Sequence, residues 1–496
     1  MAVNPKKLRP YDQPPRVSRP LIPSRPDSAA TGFLVLGALW LVVAAGLGAI
    51  WVLMLMFPDQ LHFAMEFDLP VIGKLGVDFG ADTVSSGFMN ALVFGWLSNA
   101  AFAAILFITP RLTGVRLIGE PVAWLGMAAW NLGAAAGLAG LYIPQIAGKG
   151  MLAEFPLPAD GLMLLAMLSV NAAFWRTVLA ARQRMPYVSI WFFGLALLAS
   201  MGAYALGAAA QAGATFINLD DTIVALIYAF VARALATYWI LGVTLGTLYY
   251  VVPRATLNGL ASGGLAFTSW LLWAGLAGLS AIGALVDPSV PFVVTQLGNV
   301  GTMLLVAPVF LTVATLGMTL RGRWSLMLST GAVSLAVIAM AFLVGSTLLE
   351  AIGALRSVQG LVRGTEWAAG ASLLGTLGAA TFAFYAFAEH AAPRMFRRDW
   401  AGTPLTDAQL WATFAGTAMA ALALIGAGIA HGAMMAQGAP GDQVSGTLIW
   451  FRMVAAGGLG LVSLGGVCLV GTLFLMYTTA RRAEYAMVDA VPAAGQ

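Results

Sequence analysis

Three histidines and one cysteine supply all the imidazole and thiol groups of this 496-residue chain, and they limit the chemistry it can perform. Imidazole nitrogen and thiolate sulfur are common protein ligands of heme iron and copper. The histidines are His62, His390 and His431, so the long segment between the first two contains none. Cys468 stands alone, which excludes an internal disulfide, an iron–sulfur cluster and covalent c-type heme. We interpret it as an apolar packing residue.

Each histidine is expected in ordinary surroundings. His62 falls in an acidic, water-facing segment, where a loop residue is preferred over a metal ligand. His390 ends an apolar segment and is expected to extend toward water at the membrane interface. His431 follows a glycine-rich run and precedes Met434 and Met435, so heme or copper binding is its alternative. Because the chain contains 22 methionines, we prefer a packing or interface role.

The elements that must position these groups are membrane helices. Hydrophobic residues make up 60% of the chain and charged residues 9%, whereas soluble domains are typically about 25% charged. Apolar windows of about 20 residues, the length that spans a bilayer, recur from Thr31 onward. Unbroken runs of this length exclude barrel strands. The sequence therefore predicts an all-α, polytopic membrane protein with twelve transmembrane helices near 32–56, 85–109, 121–146, 160–181, 187–211, 221–252, 263–286, 295–320, 325–350, 366–392, 407–434 and 446–479.

The basic residues predict the orientation of these helices. Most of the 25 lysines and arginines fall in alternate loops and in the two tails, namely Lys6, Lys7, Arg9, Arg16, Arg19, Arg25, Arg111, Arg116, Arg176, Arg182, Arg184, Arg254, Arg321, Arg323, Arg394, Arg397, Arg398, Arg481 and Arg482. Because cytoplasmic loops are enriched in Lys and Arg, both termini are predicted to be cytoplasmic. Residues 1–30 are predicted as a disordered basic tail, 31–480 as one membrane domain and 481–496 as a short cytoplasmic tail.

Three of the predicted helices carry recognisable sequence patterns. The second reads FMNALVFGWLSN from Phe88 and continues to ITPRLTG. The sixth reads RALATYWILGVTLGTLYYVVP from Arg233 to Pro253, and the tenth runs from Trp367 to Pro393. In this order, within twelve helices, they make roughly residues 30–480 resemble subunit I of the heme-copper oxidases, most closely C-type cytochrome c oxidases and nitric oxide reductases. The resemblance implies a cytochrome c oxidase subunit I-like bundle that would bind two hemes and copper.

The same resemblance places the family's ligand positions on residues that cannot bind metal. The low-spin heme ligand of the second helix corresponds to Phe88 and the copper ligand of the sixth helix to Arg233. The paired copper ligands of the seventh helix fall near Gly283 and Ala284, and the tenth-helix heme ligands fall on Ala371 and Leu373. The active-site tyrosine of C-type enzymes falls near Ala277. Hydrocarbon side chains offer no lone pair, and the protonated arginine has no acceptor. We therefore predict no cofactor, no metal and no oxygen or nitric oxide reduction by this chain; heme held by unrecognised ligands is the alternative.

Arg233 is the strongest candidate for a specific site. It follows Asp221 by twelve residues in a predicted helix, close to the bilayer midplane. A charge at that depth costs about 2.5–3.5 kcal/mol, so it should face the bundle interior, water or a counter-charge. We hypothesise that Arg233 fills the copper position and binds Glu350, backbone carbonyls, water or an anion; the alternative is that it only fills a cavity. Arg452, near the start of the last helix, is expected to extend to the membrane interface.

These observations favour a cofactor-less accessory or structural subunit of a respiratory electron-transport complex in the inner (plasma) membrane. Its predicted partners are the lipid bilayer and other membrane subunits, and no nucleic acid is expected. A protein that conducts protons or a small anion through Arg233 is the alternative. Its weakness is that few other ionisable groups are predicted near the midplane.

Overall fold

The computed structural model describes residues 25–69, 73–148, 150–400 and 404–478. The predicted C-terminal tail, 481–496, lies outside the described residues, as does the predicted N-terminal tail except for residues 25–30.

Twelve apolar helices long enough to cross a membrane account for most of the described chain, which confirms the predicted all-α membrane fold. We number them α1 to α12 in chain order: Ser28–Met54, Ala81–Thr113, Glu120–Leu141, Leu157–Ala180, Val188–Phe216, Asp221–Thr256, Gly263–Ile282, Phe292–Thr319, Gly331–Gly353, Trp367–Phe396, Pro404–Ala436 and Gln443–Thr478. Because their number is even, α1 begins and α12 ends on one side of the bundle. The opposite side is called the distal side below.

Helices α2 and α10 form the centre of the bundle. The most apolar stretch of α2 is 100% buried and that of α10 is 83% buried, so other helices enclose them. Glycines allow the surrounding helices to approach closely, as expected in lipid. A Cβ atom at Gly416 of α11 would lie 2.5 Å from the carbonyl oxygen of Gly458 in α12. A larger residue at this crossing would therefore force the two helices apart.

Helices α2, α6 and α10 share a local design that the sequence analysis did not predict. Each contains a seven-residue π-helical segment, at Ala91–Leu97, Leu235–Leu241 and Leu374–Ala380. Each then ends with a Pro-Arg pair inside its last turns, followed by a left-handed residue at Gly114, Leu257 or Arg397. Helix α8 is interrupted at Leu305 between Phe292–Leu304 and Val306–Thr319. Pro308 explains this break, because proline clashes with the carbonyl group four residues earlier.

A β-hairpin on the distal side, between α1 and α2, was also not predicted. Strand β1, Phe63–Leu69, pairs antiparallel with β2, Gly73–Phe79, and Phe63 lies opposite Phe79. The backbone N–H of Asp78 donates a hydrogen bond to the carbonyl oxygen of Tyr142, at 2.9 Å, which ties the hairpin to the end of α3. Residues of β1 alternate between apolar and polar or small, as in a strand with two different faces.

Candidate functional site

A cavity of about 760 Å³ lies between α2, α6, α9 and α10, with contributions from α1, α8 and the segment that follows α3. Its walls are mostly apolar, and they include alanines of α6 and α10 together with Met89, Met151 and Leu343. Arg233 and Glu350 are the charged residues on its lining. Because a charge in an apolar membrane interior is costly, this pair marks the cavity as the candidate site.

The side chains of Arg233 and Glu350 are in direct contact. The Nη2 group of Arg233 donates a hydrogen bond to Oε2 of Glu350 at 2.8 Å. The Nε group of Arg233 donates to the hydroxyl oxygen of Ser280 at 3.0 Å, and Nη2 also approaches Oγ1 of Thr302 at 3.5 Å. Ser280 and Thr302 are joined to each other at 2.8 Å. The arginine is therefore anchored by α7, α8 and α9.

One atom on each side of this ion pair has no protein partner among the described residues: Nη1 of Arg233 and Oε1 of Glu350. The side chain of Arg233 is 23% exposed and that of Glu350 is 33% exposed, although both lie within the bundle. This exposure shows that the pair borders open space. The site consequently offers a charged donor and a charged acceptor next to each other.

The positions that the family resemblance assigns to metal ligands lie in different surroundings. Phe88 packs on α1, where a Cβ at Gly48 would lie 2.9 Å from its ring, and it stacks on Trp51. Ala371 is buried where α10 meets α11, since a Cβ at the adjacent Gly370 would lie 2.7 Å from the Ala421 carbonyl oxygen. Ala371 is therefore closed by packing, whereas Phe88 packs on α1 and also forms part of the cavity wall.

Arg233 and Leu373 line the cavity, as Phe88 does. Gly283 lies just beyond the end of α7, against Gly298 of α8, and Ala284 follows it. The residue of α7 that contacts Arg233 is Ser280, nearly one helical turn earlier. Neither Ser280 nor Thr302 was identified from the sequence, because a single small hydroxyl residue in an apolar helix carries no distinctive pattern.

A second polar cluster joins three helix ends on the distal side. Glu366 accepts a hydrogen bond from Nη2 of Arg452 at 2.7 Å on one oxygen, and its other oxygen lies 2.8 Å from Nδ1 of His431. Arg452 also donates to the carbonyl oxygen of Leu55 at 3.2 Å. Arg452 was expected to extend to the membrane interface, and its side chain reaches these distal helix ends, where it is 14% exposed because it pairs with Glu366.

The carboxyl group of Glu366 has a pKa below the ordinary glutamate value. Burial alone would raise it, but the hydrogen bonds from Arg452 and His431 act in the opposite direction and together prevail. The charged carboxylate is thus the favoured form of this clamp. His431 therefore has a defined hydrogen-bond partner, and it is 65 residues away in the sequence.

The other two histidines lie away from the cavity. His62 is exposed and pairs with Asp78 of the hairpin at 2.9 Å. His390 packs edge-on against the ring of Tyr250, with ring centroids 5.8 Å apart. None of the three histidines therefore lines the cavity.

Two buried carboxyl groups that the sequence analysis did not select lie near the distal part of the cavity. The amide of Asn90 donates to Glu154 at 2.8 Å, and the hydroxyl of Tyr204 donates to Asp160 at 2.6 Å. Burial raises the pKa of Glu154, although the hydrogen bond from Asn90 acts to lower it. Tyr228, on the cavity wall, is near enough to both carboxyl groups for electrostatic interaction.

The donor atoms around the cavity do not fit a copper centre. Copper favours clusters of imidazoles, whereas the lining holds no histidine or cysteine and has a guanidinium at position 233. Among the described residues, no three His, Cys, Asp or Glu side chains are grouped so that they could hold a metal ion. Histidine-ligated heme does not fit either. The remaining iron donors of the lining are the thioethers of Met89 and Met151 and the phenol of Tyr228.

Comparison with known families gives the same architecture. The family model described as "Cytochrome C and Quinol oxidase polypeptide I" matches residues 28–484. The chain belongs to this family. The matched region covers all twelve helices.

Individual family members are similar over most of their length. The chain is 25% identical to "Cbb3-type cytochrome c oxidase subunit CcoN1" of Stutzerimonas stutzeri over 94% of its own length and 96% of that protein. It is 23% identical to "Cytochrome c oxidase subunit 1 homolog" of Azorhizobium caulinodans over 86% of its length and 76% of the relative. A heme-copper terminal oxidase dimer solved by cryo-EM superimposes with a TM-score of 0.74 at 13% identity, covering 91% of this chain and 84% of that chain. This superposition supports the shared fold.

Proposed function

We propose that this chain is a cofactor-less accessory or structural subunit of a respiratory membrane complex. The observation that carries the proposal is the ion pair between Glu350 and Arg233, the residue that the family resemblance assigns to a copper-ligand position. A fixed positive charge that cannot ligate a metal opposes the binding of a copper cation at the same place. Packing by Phe88 and the close approach of α10 to α11 at Ala371 support the same conclusion for the low-spin heme.

The proposal includes a location and partners. Basic residues cluster on the side of the bundle that holds both chain ends, so we place that side in the cytoplasm and the protein in the inner (plasma) membrane. Lipid-facing surfaces of the outer helices are available for other membrane subunits. Leu132, Leu165 and Leu271, for example, are more than half exposed.

A reduced-minus-oxidised absorption spectrum of the full chain, purified in mild detergent, tests the absence of heme. We expect no heme band, and metal analysis is expected to find no stoichiometric copper. A heme band at one or two equivalents per chain would overturn the proposal and direct attention to Met89, Met151 and Tyr228.

Mass spectrometry of the same sample tests the partner assignment, for which we expect co-purifying respiratory membrane subunits. A chain that purifies alone at every detergent strength contradicts this assignment.

Conduction of protons or a small anion is a second candidate function. It is favoured by the free Nη1 group of Arg233 and by the buried carboxyl groups of Glu154 and Asp160 near the cavity. Ion flux in liposomes, measured with proton and chloride gradients, tests it with Arg233→Leu as the comparison. Flux that disappears in the variant supports conduction. Absence of flux in the wild-type protein under either gradient rules it out for those ions.

A further inference from the structure

We propose that the cavity binds a neutral, membrane-soluble molecule that has an apolar body and a carbonyl group, with the carbonyl oxygen bound to Nη1 of Arg233. The inference rests on the proposed absence of heme, because a heme would fill the same space. It adds a binding site and a chemical class of ligand to the accessory role.

The size and walls of the cavity indicate a ligand that is largely apolar. Its volume of about 760 Å³ lies within the roughly 300–1,000 Å³ of typical small-molecule sites. Alanines and leucines dominate the walls, together with Trp51, Phe88 and Met89. Water occupies a cavity only where polar groups are close enough to bind it. In an empty apolar cavity, the lining atoms lack van der Waals contacts on one side. An apolar molecule restores those contacts.

The charges of the lining select a neutral ligand. Arg233 and Glu350 neutralise each other across a distance of 2.8 Å. An anion at Nη1 would lie close to the Glu350 carboxylate, and a cation at Oε1 would lie close to the guanidinium. Moving a charged ligand from water into this apolar cavity also costs desolvation free energy. An ion pair that is already neutral does not offset that cost.

The hydrogen-bonding groups select a ligand that accepts a hydrogen bond. Six of the eight hydroxyl side chains of the lining, all except Ser85 and Tyr228, donate to carbonyl oxygens of their own helices: Thr237, Thr244, Ser346, Thr347, Ser372 and Thr376. The protons of these six are therefore engaged, whereas Nη1 of Arg233, beside the free Oε1 of Glu350, is a charged donor without a partner among the described residues. Hydrogen bonds from a charged donor are stronger than those between neutral groups. A carbonyl oxygen is the neutral group that matches this donor.

Three probes of equal chain length test the inference: 2-dodecanone, dodecanoate and dodecane. Each is added to the full chain in nanodiscs, and bound probe is counted by native mass spectrometry over a concentration series. We expect one 2-dodecanone per chain, bound roughly ten-fold more tightly than dodecane. If dodecanoate binds more tightly than 2-dodecanone, the cavity is an anion site and the proposed preference for a neutral ligand is wrong. Equal affinity for all three probes would overturn recognition of the carbonyl group.

Arg233→Met tests the role of the guanidinium, and Arg452→Met is the matched control. Both variants remove an arginine that is bound to a glutamate, but only Arg233 faces the cavity. We expect Arg233→Met to bind 2-dodecanone no more tightly than dodecane, while Arg452→Met keeps the ten-fold preference. Unchanged preference in Arg233→Met, or equal loss in both variants, contradicts the assignment.

Ala369→Phe supplies a test that leaves the ion pair intact. Ala369 lines the cavity, so a phenyl ring there reduces the space. We expect all three probes to lose binding in this variant, and retained binding would place the ligand elsewhere. The heme spectrum of the same sample separates the two proposals. A heme band overturns the accessory role, whereas a heme-free protein that binds no ketone overturns the ligand site alone.

Discussion

Two ion pairs contain the same residue types but differ in exposure and in the number of hydrogen bonds. One joins Arg233 to Glu350, and the other joins Arg452 to Glu366. At Glu366, both carboxylate oxygens are engaged, one by Arg452 and one by His431, and the side chain is 12% exposed. At Glu350, one oxygen is engaged and the side chain is 33% exposed. The residue types alone therefore do not distinguish a structural clamp from an open site.

The surroundings make the difference. Arg452 lies where α1, α11 and α12 meet next to the start of α10, and its Nη groups contact Leu55 and Glu366, although its Nε is buried without a partner among the described residues. Arg233 lies beside a cavity, and its contacts with Ser280 and Glu350 cover only part of the guanidinium. Unused hydrogen-bonding capacity next to space is what identifies a site for a ligand. A carboxylate such as that of Glu366, with both oxygens engaged, instead holds helices together.

The largest effect is expected from Glu366→Leu. This change leaves Arg452 buried without its counter-charge, and breaking a buried pair in this way costs about 3–5 kcal/mol of unfolding free energy. Thermal unfolding of the detergent-purified variant measures the loss, with Glu366→Gln as a control that keeps a hydrogen-bond acceptor. If Glu366→Leu unfolds like the wild type, Glu366 does not clamp these helices.

A smaller loss is expected from Glu350→Leu. The cavity gives Arg233 access to other partners, so we expect a cost of about 1 kcal/mol, closer to an exposed pair than to a buried one. The same unfolding measurement, made side by side with Glu366→Leu, compares the two pairs directly. A loss equal to or greater than that of Glu366→Leu would remove the proposed distinction.

Glu366 and Glu154, which both lie outside the spanning segments, should respond to pH in opposite directions. The folded-state pKa of Glu366 is lowered, so its stabilising contribution is present above the ordinary value of about 4.3 and is lost as the pH falls through the folded pKa. The folded-state pKa of Glu154 is raised, so its contribution is present below the ordinary value and is lost as the pH rises through the folded pKa.

Unfolding of the wild type, Glu366→Gln and Glu154→Gln over an acidic pH series measures these contributions. Protonation removes only the charge, so each effect should be smaller than that of Glu366→Leu. The wild-type advantage over Glu366→Gln should shrink at the acidic end, and its advantage over Glu154→Gln should shrink as the pH rises. If the stability difference from the wild type changes with pH in the same direction for both variants, the pKa values of Glu366 and Glu154 are not shifted in opposite directions.

The smallest effect is expected from His62→Ala. The ion pair between His62 and Asp78 is exposed on the hairpin, and pairs of this kind contribute about 0–1 kcal/mol. We expect an unfolding temperature within error of the wild type and unchanged binding of 2-dodecanone. A large loss of stability would show that the hairpin is a major support of the bundle.

The twelve helices were predictable because each spanning segment leaves a continuous apolar signal that is independent of its neighbours. Arg233 was predictable for a related reason, since a charge within such a segment is rare and costly. Glu350 was selected through the family resemblance, and the structure places it against Arg233. These features are local in the sequence, or nearly so.

The remaining features depend on contacts that no local pattern encodes. The hairpin was not recognised because seven alternating residues fall below the length of a membrane signal. The cluster of Glu366, His431 and Arg452 joins residues separated by 65 and 86 positions, so only the packing of α10, α11 and α12 brings them together. The size of the cavity likewise depends on how four helices pack. An alanine in the cavity wall cannot be distinguished in the sequence from an alanine in a close helix contact.

The π-helical segments of α2, α6 and α10 have a consequence for how these helices tolerate changes in length. Removing one residue from an α-helix turns everything beyond it by about 100° and would rotate buried side chains toward lipid. A π-type bulge holds an extra residue within its turn, so a deletion there can restore ordinary α-helix and leave the flanking faces in place. Ala91–Leu97, Leu235–Leu241 and Leu374–Ala380 are therefore the places where the central helices can lose a residue without changing which side chains meet.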